Sequence, residues 1–283
     1  MFTLNCRGRL LTIGEPIVMG IINVTQDSFY ESSRVEGEDA ALRKAEQMLE
    51  EGATILDLGG QSTRPGSERV SVDEEAARVI PAVAAIHRRF PEAIISVDTF
   101  YSRVAAEAVG AGASVVNDVS AGSLDVRMIK TVAELKVPYV FMHMKGVPKT
   151  MQKEPQYENV TREVLDFFIQ KIAELRAAGI EDIIVDPGFG FGKTINHNFE
   201  LLRNLTAFRM LELPLLLGIS RKSTIYKTLG ISAGEALNGS TVLHTIGLVN
   251  GANILRVHDV KEALEAIKLV AACGLDVRSP QYL

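Results

Sequence analysis

A carboxylate followed by alternating glycine and phenylalanine, Asp186-Pro187-Gly188-Phe189-Gly190-Phe191-Gly192-Lys193, is the stretch of this chain best equipped to meet a small molecule. The apolar, β-branched Ile183-Ile184-Val185 before it reads as a buried strand with Asp186 at its C-terminal end. Glycine at every second position lets a ligand approach the backbone closely. The two phenylalanines offer flat surfaces to an aromatic ring, and a carboxylate beside them suits a ligand with an N–H-rich aromatic edge. Two phosphate-binding motifs fail here. A P-loop ending in Gly192-Lys193-Thr194 needs glycine where Pro187 stands, and a GxGxxG fingerprint has Lys193 in the place of its third glycine. A glycine-rich strand-to-helix turn with no ligand would have the same composition.

Other polar residues stand in similar places. Asn23, Asp57, Asp98, Asn117 with Asp118, His143, Asp186, Ser220, and Arg256 with His258 each close or nearly close an apolar run. One such residue is explained as a helix cap or turn former. The set calls for an arrangement that gathers strand ends on one face.

The elements supply it. Candidate strands are Ile17–Asn23, Ile55–Gly59, Ile94–Asp98, Ser114–Asp118, Tyr139–His143, Ile183–Asp186, Leu215–Ser220 and Ile254–His258. Helical stretches at 38–51, 73–90, 101–111, 124–135, 159–178, 197–209, 233–250 and 260–273 separate them. Eight strand–helix units are the count of a (β/α)8 TIM barrel, whose active sites lie at the C-terminal ends of the strands. A doubly wound sheet is the alternative. Residues 2–13 alternate around Arg7-Gly8 as a short hairpin. The expected organisation is α/β throughout: an N-terminal β-hairpin over 1–14 packed on a barrel over 15–283, one domain overall. Two connections are long for βα loops and read as candidate lids: one running from Asn23 through Gln26 and Phe29 to Glu38, the other from Gly59 to Gly66. Two exposed, mobile loops would look alike.

The 283 residues, 47% of them apolar, can bury a large core. A formal charge of −5 argues against a general nucleic-acid binder. Cys6 and Cys273 have no metal or redox spacing, which fits a reduced cytoplasmic setting. Arg7 and Arg9 interrupt any apolar leader, so no signal peptide is visible, and no apolar stretch is long enough for a membrane span.

Eight segments in order carry a family resemblance. They are Met19 to Thr25, Gly59 to Gly66 with its Ser-Thr-Arg-Pro-Gly, Ser96 to Thr99, Val116-Asn117-Asp118, Met142-His143-Met144, Asp186 to Lys193, Gly218 to Ser223, and Arg256 to Val260. Together they resemble the dihydropteroate synthase family of folate biosynthesis. Two positions depart from the family pattern: Gln26 stands where proline is usual, and Gln61 where glutamate is frequent. The first frees one φ angle in the first lid; the second removes a negative charge.

The resemblance implies a transferase that condenses (7,8-dihydropterin-6-yl)methyl diphosphate with 4-aminobenzoate, releasing pyrophosphate and 7,8-dihydropteroate. It implies Asp186 on the guanidine-like pterin edge, where a carboxylate accepts paired N–H groups, with Asn117 completing that edge and Asp98 at the other ring. Lys222 would meet the pterin carbonyl, Arg256 would stack on the ring, and Met142, Phe191 and Gly218 would line the pocket. Departure of pyrophosphate leaves a delocalised cation in an SN1-type displacement, stabilised by Asp98 and Asp186. Positive partners for the diphosphate would be Arg64, Arg256, His258 and a Mg2+ ion held in part by Asn23, with Thr63 nearby. Thr63, Pro65, Phe191, Ser220 and Lys222 would receive the aminobenzoate, whose aniline nitrogen needs no general base. The expected catalytic set is Asp98, Asp186, Lys222, Arg256 and His258. The resemblance also suggests a homodimer through late helices, and no second catalytic domain is expected in this chain.

Asp57 reads as an internal hydrogen-bond anchor, His87, His197 and His244 as structural or surface residues, and Lys145, Lys149 and Lys153 as a solvated face. Rival readings are a pterin-binding methyltransferase on the same barrel, a Schiff-base aldolase using Lys222, and a non-catalytic pterin binder.

Overall fold

The computed structural model describes residues 1–24, 31–61, 69–146 and 155–274, and of residues 31–37 the backbone only. The chain opens with an antiparallel hairpin, β1 (Phe2–Cys6) and β2 (Arg9–Ile13), turning at Arg7-Gly8. Eight parallel strands follow: β3 (Ile17–Asn23), β4 (Ile55–Gly59), β5 (Ile94–Asp98), β6 (Val115–Asp118), β7 (Tyr139–Met142), β8 (Ile183–Asp186), β9 (Leu216–Leu217) and β10 (Ile254–Val257). Their order is β8-β7-β6-β5-β4-β3-β10-β9, and a parallel bridge between Val185 and Leu215 joins the two ends into a nearly closed barrel. The fold is the expected TIM barrel with a separate N-terminal hairpin, not an open doubly wound sheet.

Around it lie α1 (Glu31–Glu50), α2 (Val72–Arg89), α3 (Ser102–Ala111), α4 (Met128–Leu135), α5 (Val160–Ala177), α6 (Ile195–Arg203), α7 (Ser223–Leu229), α8 (Leu237–Val249) and α9 (Val260–Ala272). Five of these differ from the sequence expectation. Helix α4 begins at Met128 rather than 124, and the segment read as helix 233–250 is a 3-10 turn over Ala233–Glu235 followed by α8. Helix α1 starts at Glu31, about two turns early, because residues 31–37 carry no apolar stripe for a periodicity argument to find. The segment read as helix 197–209 is α6 followed by a 3-10 turn over Leu205–Leu211. Helix α7 was not anticipated. It is two turns long and ends where Gly230 takes a left-handed conformation.

The core has layers. Between strands and helices lies the main apolar shell, including Val18, Leu56, Val97, Val116, Phe141 and Val185. Inside the barrel, at the N-terminal end of the strands, a second cluster takes one residue from each strand: Met19, Ile55, Ile94, Val115, Val140, Ile184, Leu216 and Ile254. Leu4, Cys6, Leu11 and Ile13 of the hairpin close this layer from below. The hairpin is latched by Arg7, which donates to the Val109 carbonyl at 2.7 Å, and by Arg9, which pairs with the Glu92 carboxylate at 2.7 Å. Burial pushes the Cys6 thiol up to about 12, so it packs as an apolar group.

Candidate active site

Side chains alternate along a strand, so residues two positions beyond the apolar plug face the same interior. On β4 to β10 these are Asp57, Ser96, Asn117, Met142, Asp186, Gly218 and Arg256. Asn23, Asp98, Ser220 and His258 stand one step higher. The barrel interior is thus dry below and polar above.

Arg256 organises one side. Its Nε and Nη2 meet Asp57 Oδ2 at 2.6 Å, and Nη2 also meets Asp98 Oδ2 at 2.6 Å. Asn117 donates through Nδ2 to the same Asp57 oxygen at 3.1 Å, which leaves the Asn117 carbonyl oxygen to accept from a ligand. Asp57 is fully buried and acts as the expected internal anchor. The Arg256 guanidinium is charged: burial opposes this, but Asp57 and Asp98 hold its pKa above the ordinary value. Asp98 is pushed up to about 7, by burial first, against the pull of Arg256 and with repulsion from Asp57 and Asp118.

Asp186 and Lys222 organise the other side. Asp186 Oδ1 accepts from the Gly188 N–H at 2.7 Å, and burial raises its pKa while Lys222 opposes the rise. Its Oδ2 faces Gly218; a Cβ on that glycine would lie 3.6 Å from Asp186 Oδ2 and 3.8 Å from Lys222 Nζ, so the bare backbone forms a floor between the two charges. Lys222 immediately precedes α7, donates to the Phe189 carbonyl at 2.5 Å and stands 4.6 Å from the centre of the Phe191 ring. Burial lowers its pKa to about 8, with Asp186 opposing. Met142 and Phe191 join Phe100 and Val119 in a small apolar cluster at this end of the barrel.

Ser220 and His258 form a third group. The Ser220 hydroxyl lies 3.1 Å from His258 Nδ1 and accepts from the His258 backbone N–H at 3.2 Å. The Ser220 hydroxyl can give its proton to Nδ1, which leaves Nε2 protonated, or accept a proton from Nδ1 on its second lone pair. Burial, then Arg256, lowers the His258 pKa to about 4. The expected cation is therefore a neutral imidazole. Behind it Arg221 makes a paired contact with Asp259 at 2.8 Å and 2.8 Å, tying the loop after β9 to the loop after β10. Adjacent Arg221-Lys222 and His258-Asp259 were the signal for this pair, and the sequence reading did not use it.

The glycine-phenylalanine stretch works differently from its first reading. Phe189 is fully buried in the main shell, so only Phe191 reaches the site. A Cβ on Gly188 would stand 2.0 Å from the His143 carbonyl oxygen, and one on Gly192 2.2 Å from that of Lys145. Those glycines admit the protein's own backbone, not a ligand. Lys193, dismissed with the P-loop, is a buried core residue: its amine meets His143 Nδ1 at 3.0 Å and the carbonyls of His143, Gly188 and Phe191 at 3.2, 3.0 and 3.1 Å. Burial takes His143 down to about 2, so it is neutral and structural.

Asn23 is exposed at the rim on β3. Thr63, Arg64, Pro65, Gln26, Lys149 and Lys153 lie outside the described residues. Lys145 is engaged with Glu163 at 3.0 Å and with the Tyr157 ring. Gln61 donates to the buried Glu75 at 3.1 Å and accepts from the Val70 N–H at 3.0 Å, so it clips the two flanks of the second loop. His197 is part of the cap of α6, His244 is buried on α8, and His87 is exposed on α2.

Residues 19–258 match the family described as pterin binding enzyme. The dihydropteroate synthase of Escherichia coli (strain K12) is 46% identical over 268 residues, covering 94% of each chain. Among solved structures, the Xanthomonas albilineans dihydropteroate synthase with 4-aminobenzoic acid has a TM-score of 0.89 at 40% identity, covering 96% of this chain and 98% of that one. The same organism's enzyme in complex with 7,8-dihydropteroate has a TM-score of 0.86 at 38% identity, covering 96% and 99%.

Proposed function

The chain belongs to the pterin-binding enzymes, among the dihydropteroate synthases, which are alkyl-transferring enzymes, and from that premise we propose that it condenses (7,8-dihydropterin-6-yl)methyl diphosphate with 4-aminobenzoate. The observation that carries this reading is the buried polar layer two residues above the apolar plug. Asp186 and Asn117 offer acceptor oxygens there beside Phe191 and Met142. A pterin edge presents neighbouring N–H groups, and a buried carboxylate with a carbonyl acceptor matches them.

The engaged edge of Arg256 favours the stacking role assigned to it over a direct hold on the diphosphate, because its Nε and Nη2 are already committed to Asp57 and Asp98. The neutral His258, in its Nε2–H tautomer, would donate one hydrogen bond to a diphosphate oxygen. As the carbon–oxygen bond to pyrophosphate breaks, the pterinylmethyl group becomes cation-like, and the carboxylates of Asp186 and Asp98 supply negative potential beside it. The unprotonated aniline nitrogen then attacks that carbon and loses its proton to solvent. Low dielectric and fixed geometry, rather than a dedicated general base, do the catalytic work.

Magnesium fits this site as a companion of the substrate. Among the described residues no group of three or more acidic, histidine or cysteine side chains is placed to hold a metal. Asn23 would provide one neutral oxygen, with diphosphate oxygens and water completing the shell, a pattern that suits Mg2+. The ion would neutralise charge developing on the leaving group.

The proposed assembly is a homodimer through α8 and α9. Val242, Ile246 and Val249 are exposed along α8 at i, i+4 and i+7, and Leu269 is exposed on α9. Sedimentation would return the monomer mass if this face stays bare. A cytoplasmic setting is proposed with it; among the described residues no helix is long and apolar enough to cross a membrane.

The deciding experiment is pyrophosphate release from the pterin diphosphate with Mg2+, with and without 4-aminobenzoate. Release that depends on aminobenzoate and yields 7,8-dihydropteroate is expected. Tight pterin binding without release would replace the synthase reading with a silent binder.

A further inference from the structure

We propose that Lys193 is a positioning residue for the aminobenzoate side of the site, acting through the turn that carries Phe191 and braces Lys222. The inference rests on the synthase reading. Lys193 itself is almost entirely buried and reaches the pocket only through backbone. Its amine gathers the end of β7, through the His143 carbonyl and ring, with both ends of the turn, through the Gly188 and Phe191 carbonyls. Burial lowers the Lys193 pKa to about 7, with Asp186 opposing, and in either protonation state its N–H groups donate among the three carbonyl oxygens around it. Nothing apolar can replace that.

The turn is also held by the buried Phe189 side chain and by the N–H groups of Gly188 and Gly190, which donate to Asp186 at 2.7 Å and Asn198 at 2.8 Å, but among the described residues Lys193 alone joins both of its ends to the loop after β7. Gly188 and Gly192 rest directly against the backbone of residues 143–145, a contact with no side chain to hold it in place. Phe191 N–H donates to the Gly188 carbonyl at 3.1 Å, closing the turn on itself, and the Tyr157 hydroxyl donates to the Gly192 carbonyl at 2.8 Å. Between the two carbonyls held by Lys193 lies that of Phe189, which accepts from Lys222. Lys222 in turn stands over Phe191. A shift of the turn therefore moves Phe191 and Lys222 together. Asp98, Asn117 and Arg256 hang from β5, β6 and β10, away from the turn, while Asp186 at the end of β8 meets it through the Gly188 N–H.

This division sets the test. In Lys193→Met the KM for 4-aminobenzoate should rise about tenfold, the scale of one or two lost hydrogen bonds. The Kd for pterin diphosphate, read by calorimetry, should rise by a smaller factor, about threefold at most, because Asp98, Asn117 and Arg256 keep their places on the strands while only Asp186, Phe191 and Lys222 feel the turn. Lys193→Gln keeps two N–H donors and should fall between wild type and Lys193→Met. A purely structural lysine would lower the urea midpoint and leave both constants alone, or weaken both alike; either result overturns the proposal. Should Lys193→Met fail to fold, Lys193→Gln carries the same comparison. A wild type with no aminobenzoate-dependent release sinks the synthase reading and this proposal with it. An active wild type whose variants keep the aminobenzoate KM sinks this proposal alone.

Discussion

The two ends of the barrel interior are made by the same strands, two residues apart, and they obey opposite rules. Ile184 and Ile254 sit in a dry plug sealed by the hairpin, whereas Asp186 and Arg256, two positions on, sit in a layer of buried charge. The plug is held by apolar area and close packing. The upper layer is held by mutual dependence: each carboxylate is tolerable because a cation or N–H stands beside it, and each cation because a carboxylate does. One layer is therefore built for stability and the other for binding. That difference predicts how substitutions divide between folding and function.

Arg256→Met should have the largest effect. It leaves Asp57 and Asp98 buried without their shared cation, and losing one partner of a buried ion pair costs about 3–5 kcal/mol. Urea unfolding should show that loss, and activity should disappear with it. A stable Arg256→Met would mean that the two carboxylates protonate at little cost. Directly below, Ile184→Ala should cost about 3 kcal/mol of stability through cavity formation. Its Kd for pterin diphosphate should stay unchanged below the unfolding transition. A weakened Kd there would show that the plug also shapes the site. The counterpart, Asp186→Asn, should shift the balance toward function: pterin affinity falls by about 1.5–3 kcal/mol in calorimetry, while stability falls less than in Arg256→Met because Lys222 keeps its bond to the Phe189 carbonyl and can shed its proton. Unchanged affinity would remove Asp186 from the pterin pocket.

The sequence made the plug and the rim readable to different degrees. Strands β3, β4, β5 and β8 fall on the residues expected, because β-branched runs bounded by turns are an unambiguous pattern. Asp98, Asn117, Asp186, Lys222, Arg256 and His258 are brought to one end of the barrel, as strand ends in a parallel barrel must be. What was not legible depends on three-dimensional neighbours. Phe189 and Phe191 look equivalent in the chain, yet one packs outward into the helix layer and the other toward the site. Gly188 and Gly192 look like ligand-facing glycines, but residues 143–145 of another strand's loop occupy the space. Lys193 looks like half of a phosphate motif until four acceptors from two loops converge on it. His258 has no feature in the sequence that would declare it neutral; burial and then Arg256 decide that.

The smallest predicted effect concerns protons, and it separates the two layers without disturbing either. Asp98 has its pKa raised from 3.8 to about 7 in the folded chain, by burial first. A carboxyl whose folded pKa lies above its unfolded value binds its proton more tightly when folded. Its contribution to stability is thus fully present below about pH 4 and is lost as pH rises through about 7. Wild type should therefore lose stability relative to Asp98→Asn across this window, about 1 kcal/mol between pH 6 and 7. No residue of the plug titrates there, since Cys6 stays protonated to about 12, so Ile184→Ala should run parallel to wild type at every pH. Saturating pterin diphosphate should shrink the difference if the ligand binds the ionised Asp98, because binding then compensates the charge that burial penalises. Parallel wild-type and Asp98→Asn curves would place the ionised carboxylate comfortably in its pairing with Arg256, and the upper layer would then differ from the plug in chemistry but not in its cost to the fold.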